Sequence, residues 1–585
     1  MRALLPLALL ALAPLASASL ERVEPPHWWV GFEREELQIL LYGEDLHGLV
    51  PSLDHPGVTL DRIVFTPNPR YAFLYLEIAP EAAPGMVEIR LEDTAGGASQ
   101  VVRYELRARE RNPATLRGFG PEDVLYLITP DRFANGDPSN DTVEGLGDPP
   151  AREDPYGRHG GDLAGIAQHL DYFEEMGFTA LCSNEEYRDL ITAAGERGIK
   201  VIMDMIVNHS GSEHWFAKDP PTDNWLNFDG EYVNTNHSRT TVQDPHASAY
   251  DQRRFADGWF VETMPDLNQR QPLLGDYLIQ NTLWWIEESG IAGIRMDTYP
   301  YPDPHFMADW TCAVMREYPH FNIVGEEWSV NPAIVAYWQA GKDNHDGYTS
   351  CLPSLMDFPL QDALARALTG DESVWDDGWT ILYERLASDF LYAAPEDLVV
   401  FPDNHDMDRF FTQVDEDLDL FRLGLAYILT TRGVPQIYYG TEVIMENSAA
   451  PGDHGTIRTD FPGGWSGDTV NAFSGEGLSA DQRAAQSFLR DLLRWRRDEP
   501  VVHHGRLVHF TPEDGIYVYF RLHDDEAVMV VLNKNPSPTT LPLARFSECI
   551  EGRTAATNAL TGDEVDLTDA MLTIPPRAPL ILKLR

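Results

Sequence analysis

Basic residues are scarce in this chain. Its 585 residues carry 44 Lys and Arg against 93 Asp and Glu, a formal net charge of −49. A surface of that sign repels nucleic acid and anionic membranes, so no nucleic-acid partner is expected. Lysine is rare beside arginine, and no basic patch stands out. Cysteine is scarcer still. Cys182, Cys312, Cys351 and Cys549 are widely spaced and form no CxxC pair, which argues against a zinc site. One disulfide is open to these four residues; four free or buried thiols is the simpler expectation. Long apolar runs are missing beyond the first residues, MRALLPLALLALAPLASAS. That stretch has one positive charge, a short apolar run and small residues, and Ala16-Ser17-Ala18 fits an A-x-A cleavage site. It reads as a signal peptide over 1–18, with a retained N-terminal anchor as the alternative. A secreted, periplasmic protein with no membrane contact after cleavage is expected. Heptads and low-complexity tracts are absent.

Aromatic residues are not scarce. They make up 11% of the chain, including 14 Trp and 23 Tyr. Flat rings suit stacking on sugars and suit ordinary cores equally.

The rhythm of apolar runs divides the chain into domains. Residues 19–112 read as all-β: runs such as Leu37–Tyr42 and Tyr71–Leu76 alternate with Gly, Pro and Asp turns, the pattern of a small Ig-like sandwich. From about 118 to 500 strands alternate with helices. Val124–Ile128, Phe178–Cys182, Lys200–Val207, Gly293–Asp297, Asn322–Glu326, Ser354–Asp357, Val399–Asp403 and Gln436–Tyr439 make eight strands. Asp162–Met176 and Asn184–Arg197 read as helices, stopped by Gly177 and Gly198. Eight such units predict an α/β fold, a closed (β/α)₈ TIM barrel. The stretch 209–275, rich in Asp, Asn, Trp and His, reads as a large loop at the carboxyl ends of the strands. Residues 501–585 return to short strands and predict a C-terminal antiparallel β domain.

Polar residues at the ends of apolar strands are the informative feature. The third strand ends Asp204-Met-Ile-Val-Asn208-His209. The fourth runs Gly293-Ile-Arg295-Met-Asp297, the fifth ends Gly325-Glu326-Glu327-Trp328, and the seventh ends Asn404-His405-Asp406. Each places carboxylates or His on the catalytic rim of a barrel. Breaking a glycosidic bond takes two carboxyl groups, one a nucleophile or base and one an acid with a raised pKa. Arg295, two residues before Asp297, faces the same side of its strand and favours the ionised carboxylate. A strand-end acid can also simply cap the next helix, but four such motifs in order at successive strand ends leave little room for that reading.

Those residues resemble the four signature regions of the α-amylase superfamily, glycoside hydrolase family thirteen. Met264-Pro-Asp-Leu-Asn268 resembles the extra region of its cyclomaltodextrinase, neopullulanase and maltogenic amylase group. Arg295-Met-Asp-Thr-Tyr-Pro-Tyr-Pro, Glu24-Pro-Pro-His-Trp28-Trp29 and Asp460-Phe-Pro-Gly-Gly-Trp465 are similar to that group's periplasmic members. The resemblance implies an α-glucan oligosaccharide substrate and a retaining double displacement. In it Asp297 is the nucleophile, Glu326 the acid and then base, and Asp406 the group that holds sugar hydroxyls in the transition state. It implies that His209, Arg295 and His405 contact the sugar or orient the acids. Asp204 supports the site from behind or is structural, and Glu327, as the strand neighbour of Glu326, points to the opposite side. A homodimer stays open. A second cluster, Asn135-Gly-Asp137-Pro-Ser-Asn140-Asp141 followed by Gly160-Gly161-Asp162, is oxygen-rich. It suits Ca²⁺ or a plain Asx-rich turn. The resemblance implies structural Ca²⁺ held by Asn135, Asp137, Asn140, Asp141, Gly160 and Asp162.

One departure stands out. Phe178–Cys182 runs through Ser183-Asn-Glu-Glu-Tyr187 almost directly into the next helix, where relatives carry a long loop whose Tyr stacks on the sugar. Three readings therefore stay open. They are a hydrolase of cyclomaltodextrins, pullulan or maltooligosaccharides, a catalytically impaired glucan-binding protein, and a glucosyl-transferring enzyme.

Overall fold

The computed structural model describes residues 19–93, 99–142, 149–182, 187–550 and 552–585. The leader read over 1–18 and the shortened connection at 183–186 lie outside the described residues. Two compact units emerge, and they do not follow chain order. The first takes Met1–Pro113, His209–Thr235 and Asp257–Glu287; the second takes Ala114–Asn208, Asn236–Ala256 and Glu288–Arg585.

In the first unit two four-stranded sheets form the sandwich. One has the order Ser19–Glu24, Glu36–Glu44, Tyr71–Ile78, Val58–Phe65; the other has His27–Trp29, Gln100–Arg107, Gly85–Asp93, Leu49–Leu53. The period of two is plain in Gly85–Asp93, where Val87, Ile89 and Leu91 are buried while Glu88 and Arg90 are exposed. Gln38 breaks this logic, being a buried amide on an inner strand. Its partner explains it. The Gln38 N–H donates to Gln280 Oε1 at 2.7 Å, and Gln280 Nε2 donates back to Gln38 O at 2.8 Å. The helix Pro272–Ser289, nearly all of it in this unit, is thereby fastened to the sandwich. Arg109 with Glu287 at 2.7 Å and Tyr75 with Asp276 at 3.0 Å add to the attachment.

The second unit holds eight parallel strands: β1 (Leu125–Leu127), β2 (Ala180–Cys182), β3 (Lys200–Met205), β4 (Gly293–Met296), β5 (Ile323–Gly325), β6 (Ser354–Leu355), β7 (Val399–Val400) and β8 (Val434–Tyr438). Their order is β6-β5-β4-β3-β2-β1-β8-β7, and a bridge from Met356 to Val399 closes the ring. Every residue of β4 and β8 is buried, as a sheet covered on both faces requires. The helix expected over 162–176 is two, Leu163–Gln168 and Leu170–Met176, broken at His169, whose ring stacks on Phe473 at 3.5 Å. Gly177 ends the second of them at φ +99°, a conformation that favours glycine. At the C-terminus a six-stranded sheet runs in the order Arg506–Glu513, Ile516–His523, Glu526–Asn533, Ala578–Leu584, Ala555–Asn558, Glu564–Asp566. It buries Phe520, Met529, Val531, Phe546 and Leu582. Among the described residues no helix is long and apolar enough to cross a membrane.

The expectation of four thiols is corrected. Cys312, on the helix Pro304–Glu317, is joined to Cys351, just before β6, with a Cα–Cα distance of 4.9 Å. The pair is 39 residues apart in sequence, and only the packing of that helix beside the approach to β6 brings it together. Closing a loop of that length restricts the unfolded chain by roughly 4 kcal/mol. Reduction, or Cys312→Ser with Cys351→Ser, is expected to lower the thermal midpoint by several degrees. Peptide mapping without reductant should recover the Cys312–Cys351 pair; separate peptides would refute it.

Candidate active site

Four strand ends of the barrel deliver side chains to one place. Asp204 is the fifth residue of β3, Arg295 the third of β4, and Asp297 follows β4 directly. Glu326 follows β5, and His405 and Asp406 come shortly after β7. Parallel strands end on the same side, so these residues converge without any local sequence contact.

Arg295 is their hub, and it is buried. Its Nη1 donates to Asp204 Oδ1 and Oδ2, each at 2.8 Å, and to Asp297 Oδ1 at 2.9 Å. Its Nη2 donates to Glu326 Oε1 at 2.6 Å. The other Glu326 oxygen accepts the Thr298 N–H at 3.0 Å. Thr298 holds φ +48°, a left-handed conformation that a β-branched residue adopts only under strain. Burial pushes the Glu326 carboxyl up to about 7, with Arg295 opposing and Asp297 assisting. Burial likewise raises Asp204 to about 6 against the pull of Arg295. Asp406 differs. Burial raises it, but His405, Arg458, Arg295 and His454 together bring it below the usual carboxylate range. His405 Nε2 lies 3.2 Å from Asp406 Oδ2, and burial followed by Arg295 lowers that imidazole to about 4. Two carboxyls in one site thus have opposite tendencies, one holding its proton and one shedding it.

Glu327 faces away from this hub and accepts the Trp338 indole N–H at 2.8 Å. His209 and the stretch Met264–Asn268 belong to the first unit, where His209 forms a bridge with Asp266. The reading from sequence missed Arg458, which donates to Asp406 and, at 2.8 Å, to the carbonyl of His405. Its only signal was its place two residues before the Asp460–Trp465 motif. That motif does its own fastening. Asp460 pairs with His159 Nδ1 at 2.6 Å, Trp465 Nε1 donates to His159 O at 3.1 Å, and Arg152 lies 4.4 Å over the Trp465 ring.

The oxygen-rich cluster is partly assembled. Asn135 Nδ2 donates to Asp141 Oδ1 at 2.9 Å, and Asn135 Oδ1 is buried with no hydrogen-bond partner. Gly160 sits against Asp141 at φ +87°, and a Cβ there would meet Asp141 Oδ1 at 2.7 Å. An orphaned acceptor beside a carboxylate, in a cradle only glycine leaves open, fits a hard cation. Asp162 is engaged otherwise: it accepts from Gly165 N at 2.6 Å and Gly136 N at 3.0 Å as an N-cap. Asp137 turns to Ser139, whose Oγ donates at 2.7 Å, and Asn140 N donates to Asp137 O at 3.1 Å. Among the described residues no group of three or more His, Cys, Asp or Glu gathers as a metal site. Any cation would therefore rest on the amide and carbonyl oxygens as well.

Carboxylates gathered on a guanidinium at the ends of parallel barrel strands define a class: barrel enzymes that act on a bond held between two acids. Comparison with known proteins narrows it. Residues 182–463 match the α-amylase catalytic domain, 22–110 the cyclomaltodextrinase N-terminal domain, and 507–583 the cyclo-malto-dextrinase C-terminal domain. Neopullulanase 2 of Thermoactinomyces vulgaris is 28% identical over 80% of this chain and 78% of its own length. A cyclomaltodextrinase of a Bacillus species is 26% identical over 72% and 74%. The β/α-amylase of Paenibacillus polymyxa is 25% identical over 79% of this chain, which spans 38% of that longer protein. Among solved structures, the acarbose complex of the Geobacillus thermoleovorans α-amylase superposes with a TM-score of 0.63 at 24% identity. It covers 80% of this chain and 98% of that one, and shows the shared fold. The chain belongs to the α-amylase family of glycoside hydrolases, in the cyclomaltodextrinase and neopullulanase-like group.

Arg295→Met is expected to destabilise the fold by roughly 3–5 kcal/mol at pH 7, because three carboxyls lose their shared cation. In the variant the ionised forms of the buried Asp204 and Glu326 are disfavoured further. The loss should therefore shrink as pH falls from about 7 towards 5 and the groups take up protons. Urea unfolding at both pH values checks this; an equal loss at both would break the account.

Proposed function

We propose that this protein hydrolyses α-glucosidic bonds of cyclomaltodextrins, pullulan or maltooligosaccharides by a retaining double displacement. The observation that carries the reading is the shared guanidinium, which holds Asp297 on one amino nitrogen and Glu326 on the other. Asp297 attacks the anomeric carbon and forms the glycosyl-enzyme bond as the glycosidic C–O bond breaks. Glu326, its proton retained by burial, gives that proton to the leaving oxygen and then takes one from the incoming water. Asp406, ionised beside His405 and Arg458, receives sugar hydroxyls and favours the flattened ring. Asp204 anchors Arg295 from behind. Asp297→Asn is expected to fold normally and lose at least roughly a thousand-fold in kcat. The upper limb of kcat/KM in the native enzyme should fall near pH 7, where Glu326 gives up its proton. Near-native turnover in Asp297→Asn on a maltooligosaccharide would refute the assignment.

A second reading rests on the length of the connection, only four residues of sequence, between β2, ending at Cys182, and the helix beginning at Tyr187. A chain without a long loop there binds the sugar at the cleaved bond weakly, and the protein is then a glucan binder with little turnover. Reducing-sugar release separates the two.

We further infer a structural Ca²⁺ held by Asn135 and Asp141 with Gly160 and, at its edges, Asp137, Asn140 and Asp162. The ion would tie these loops together and take no part in bond cleavage. A ligand specific to the folded state stabilises it by about 2.7 kcal/mol at 100 times Kd. Melting should accordingly shift upward with added calcium and downward with chelator. Identical curves, with no metal in the purified protein, would leave the cluster as an Asx-rich turn.

A further inference from the structure

Two acids follow each other at the end of β5, and the scheme above uses only Glu326. Glu327 is fully buried, and a buried carboxyl is retained at a cost that an apolar side chain of similar size would avoid. One of its oxygens accepts the Trp338 indole N–H. The other has no hydrogen bond and lies 3.7 Å from Arg239 Nε.

Arg239 comes from the middle of the chain, in a short 3₁₀ turn over Arg239–Thr241. The segment 236–256 around it is knit internally. Thr241 Oγ1 donates to Ser238 O at 2.8 Å, Gln252 Nε2 to Thr241 O at 3.1 Å, and Asn236 Nδ2 to Asp251 O at 3.1 Å. The same segment grips the end of β4. His237 Nδ1 lies 3.2 Å from the Tyr301 hydroxyl, and the Phe255 ring packs 4.5 Å from that of Tyr301. Tyr301 is the fourth residue after Asp297. The segment therefore meets both strand ends that carry the reacting carboxyls, at Tyr301 by ring contact and at Glu327 by charge.

We propose that Arg239 and Glu327 are positioning residues whose ion pair fastens segment 236–256 beside Asp297 and Glu326, with the Glu327 carboxylate favouring the protonated form of its neighbour Glu326. The proposal rests on Glu326 being the acid and base of the reaction. The groups that face Glu327 are Arg239 and Trp338, with Glu326 next to it in the chain. Tyr301 lies within electrostatic reach of Arg239, Glu327 and Glu326, and His237 within reach of Arg239. Burial pushes the Glu327 carboxyl up to about 7, Trp338 and Arg239 oppose this, and Glu326 adds to it. Ionisation of Glu327 thus depends on Arg239 staying in place. Arg239 is the exposed end of the pair, its side chain 31% accessible against 0% for Glu327. Withdrawal of the arginine would both loosen the segment and leave Glu327 without its countercharge.

The test uses the whole protein and two readouts. Hydrogen–deuterium exchange is measured on native enzyme, Arg239→Ala, Arg239→Lys and Glu327→Gln. Gln keeps an acceptor for Trp338, so that variant is expected to fold. Exchange within 236–256 should rise about tenfold in Arg239→Ala and Glu327→Gln, stay near native in Arg239→Lys, and not change in β1 or β8. The pH profile of kcat/KM is the second readout. Glu327→Gln removes a neighbouring negative charge and should move the upper limb down by about one pH unit. Arg239→Ala should raise KM several-fold and, by leaving Glu327 protonated, move that limb down as well, while Arg239→Lys should restore both. Unchanged exchange in both variants overturns the tether, and an unmoved limb in Glu327→Gln overturns the charge role. A native protein that releases no reducing sugar overturns the acid–base reading of Glu326, while the exchange data still decide the tether.

Discussion

The second unit of this protein is organised around one buried cation. Arg295 has no exit to solvent and is held well above its ordinary affinity for protons: burial disfavours its charge, and Asp204, Glu326 and Asp297 more than compensate. Such a group tolerates few alternatives. Its carboxyl partners cannot leave without stranding a charge in a medium where that is costly. The carboxyls in turn cannot crowd so closely without the guanidinium between them. This mutual dependence sets the positions of three acids at once, and it uses the planar fork of arginine, which a lysine does not offer.

The barrel makes the arrangement affordable in geometry. β3, β4 and β5 are hydrogen-bonded neighbours, with Asp204 paired in register with Arg295 and Arg295 with Val324. A residue on β3 and one on β4 at the same level have adjacent side chains, so Asp204 meets Arg295 almost by construction. Asp297, two residues on, faces the same way. Glu326 reaches the fork because β4 and β5 end level, Met296 beside Gly325, so that it stands next to Asp297 and two residues past the partner of Arg295. Thr298 then takes a strained left-handed turn so that its N–H can hold the second Glu326 oxygen. Backbone strain here orients the buried carboxyl that holds its proton most tightly in the cluster.

What could be read from the chain alone follows the same division. Strand ends were legible because the change from an apolar run to Asp, Glu or His is local. The i, i+2 relation of Arg295 and Asp297 was legible because a strand alternates. The Cys312–Cys351 bond was not, since nothing within 39 residues marks two cysteines as neighbours and only tertiary packing does. Arg458 was hidden for the same reason, lying 52 residues from the Asp406 it serves. The break at His169 was invisible because the helical period continues through it, and its ring's partner, Phe473, lies far down the chain. The division into units was hidden too. Nothing in the composition of Pro272–Ser289 reveals that Gln280 will complete the amide pairing of Gln38, 242 residues earlier.

The acids of the site differ in proton affinity although they are chemically alike. An active site that needs one carboxyl protonated and another ionised at the same pH must separate them by environment, because the groups are chemically alike. Here the separation comes from unequal access to cations. Burial raises the pKa of Glu326, which shares one arginine with Asp204 and Asp297. Asp406 is paired with Arg458 and stays low. The distribution of positive charge, more than the acids themselves, assigns the roles. Substituting a cation outside the hub, such as Arg458, is therefore a sharper probe than substituting a carboxylate, since it changes the proton affinity of Asp406 while leaving the Arg295 cluster in place.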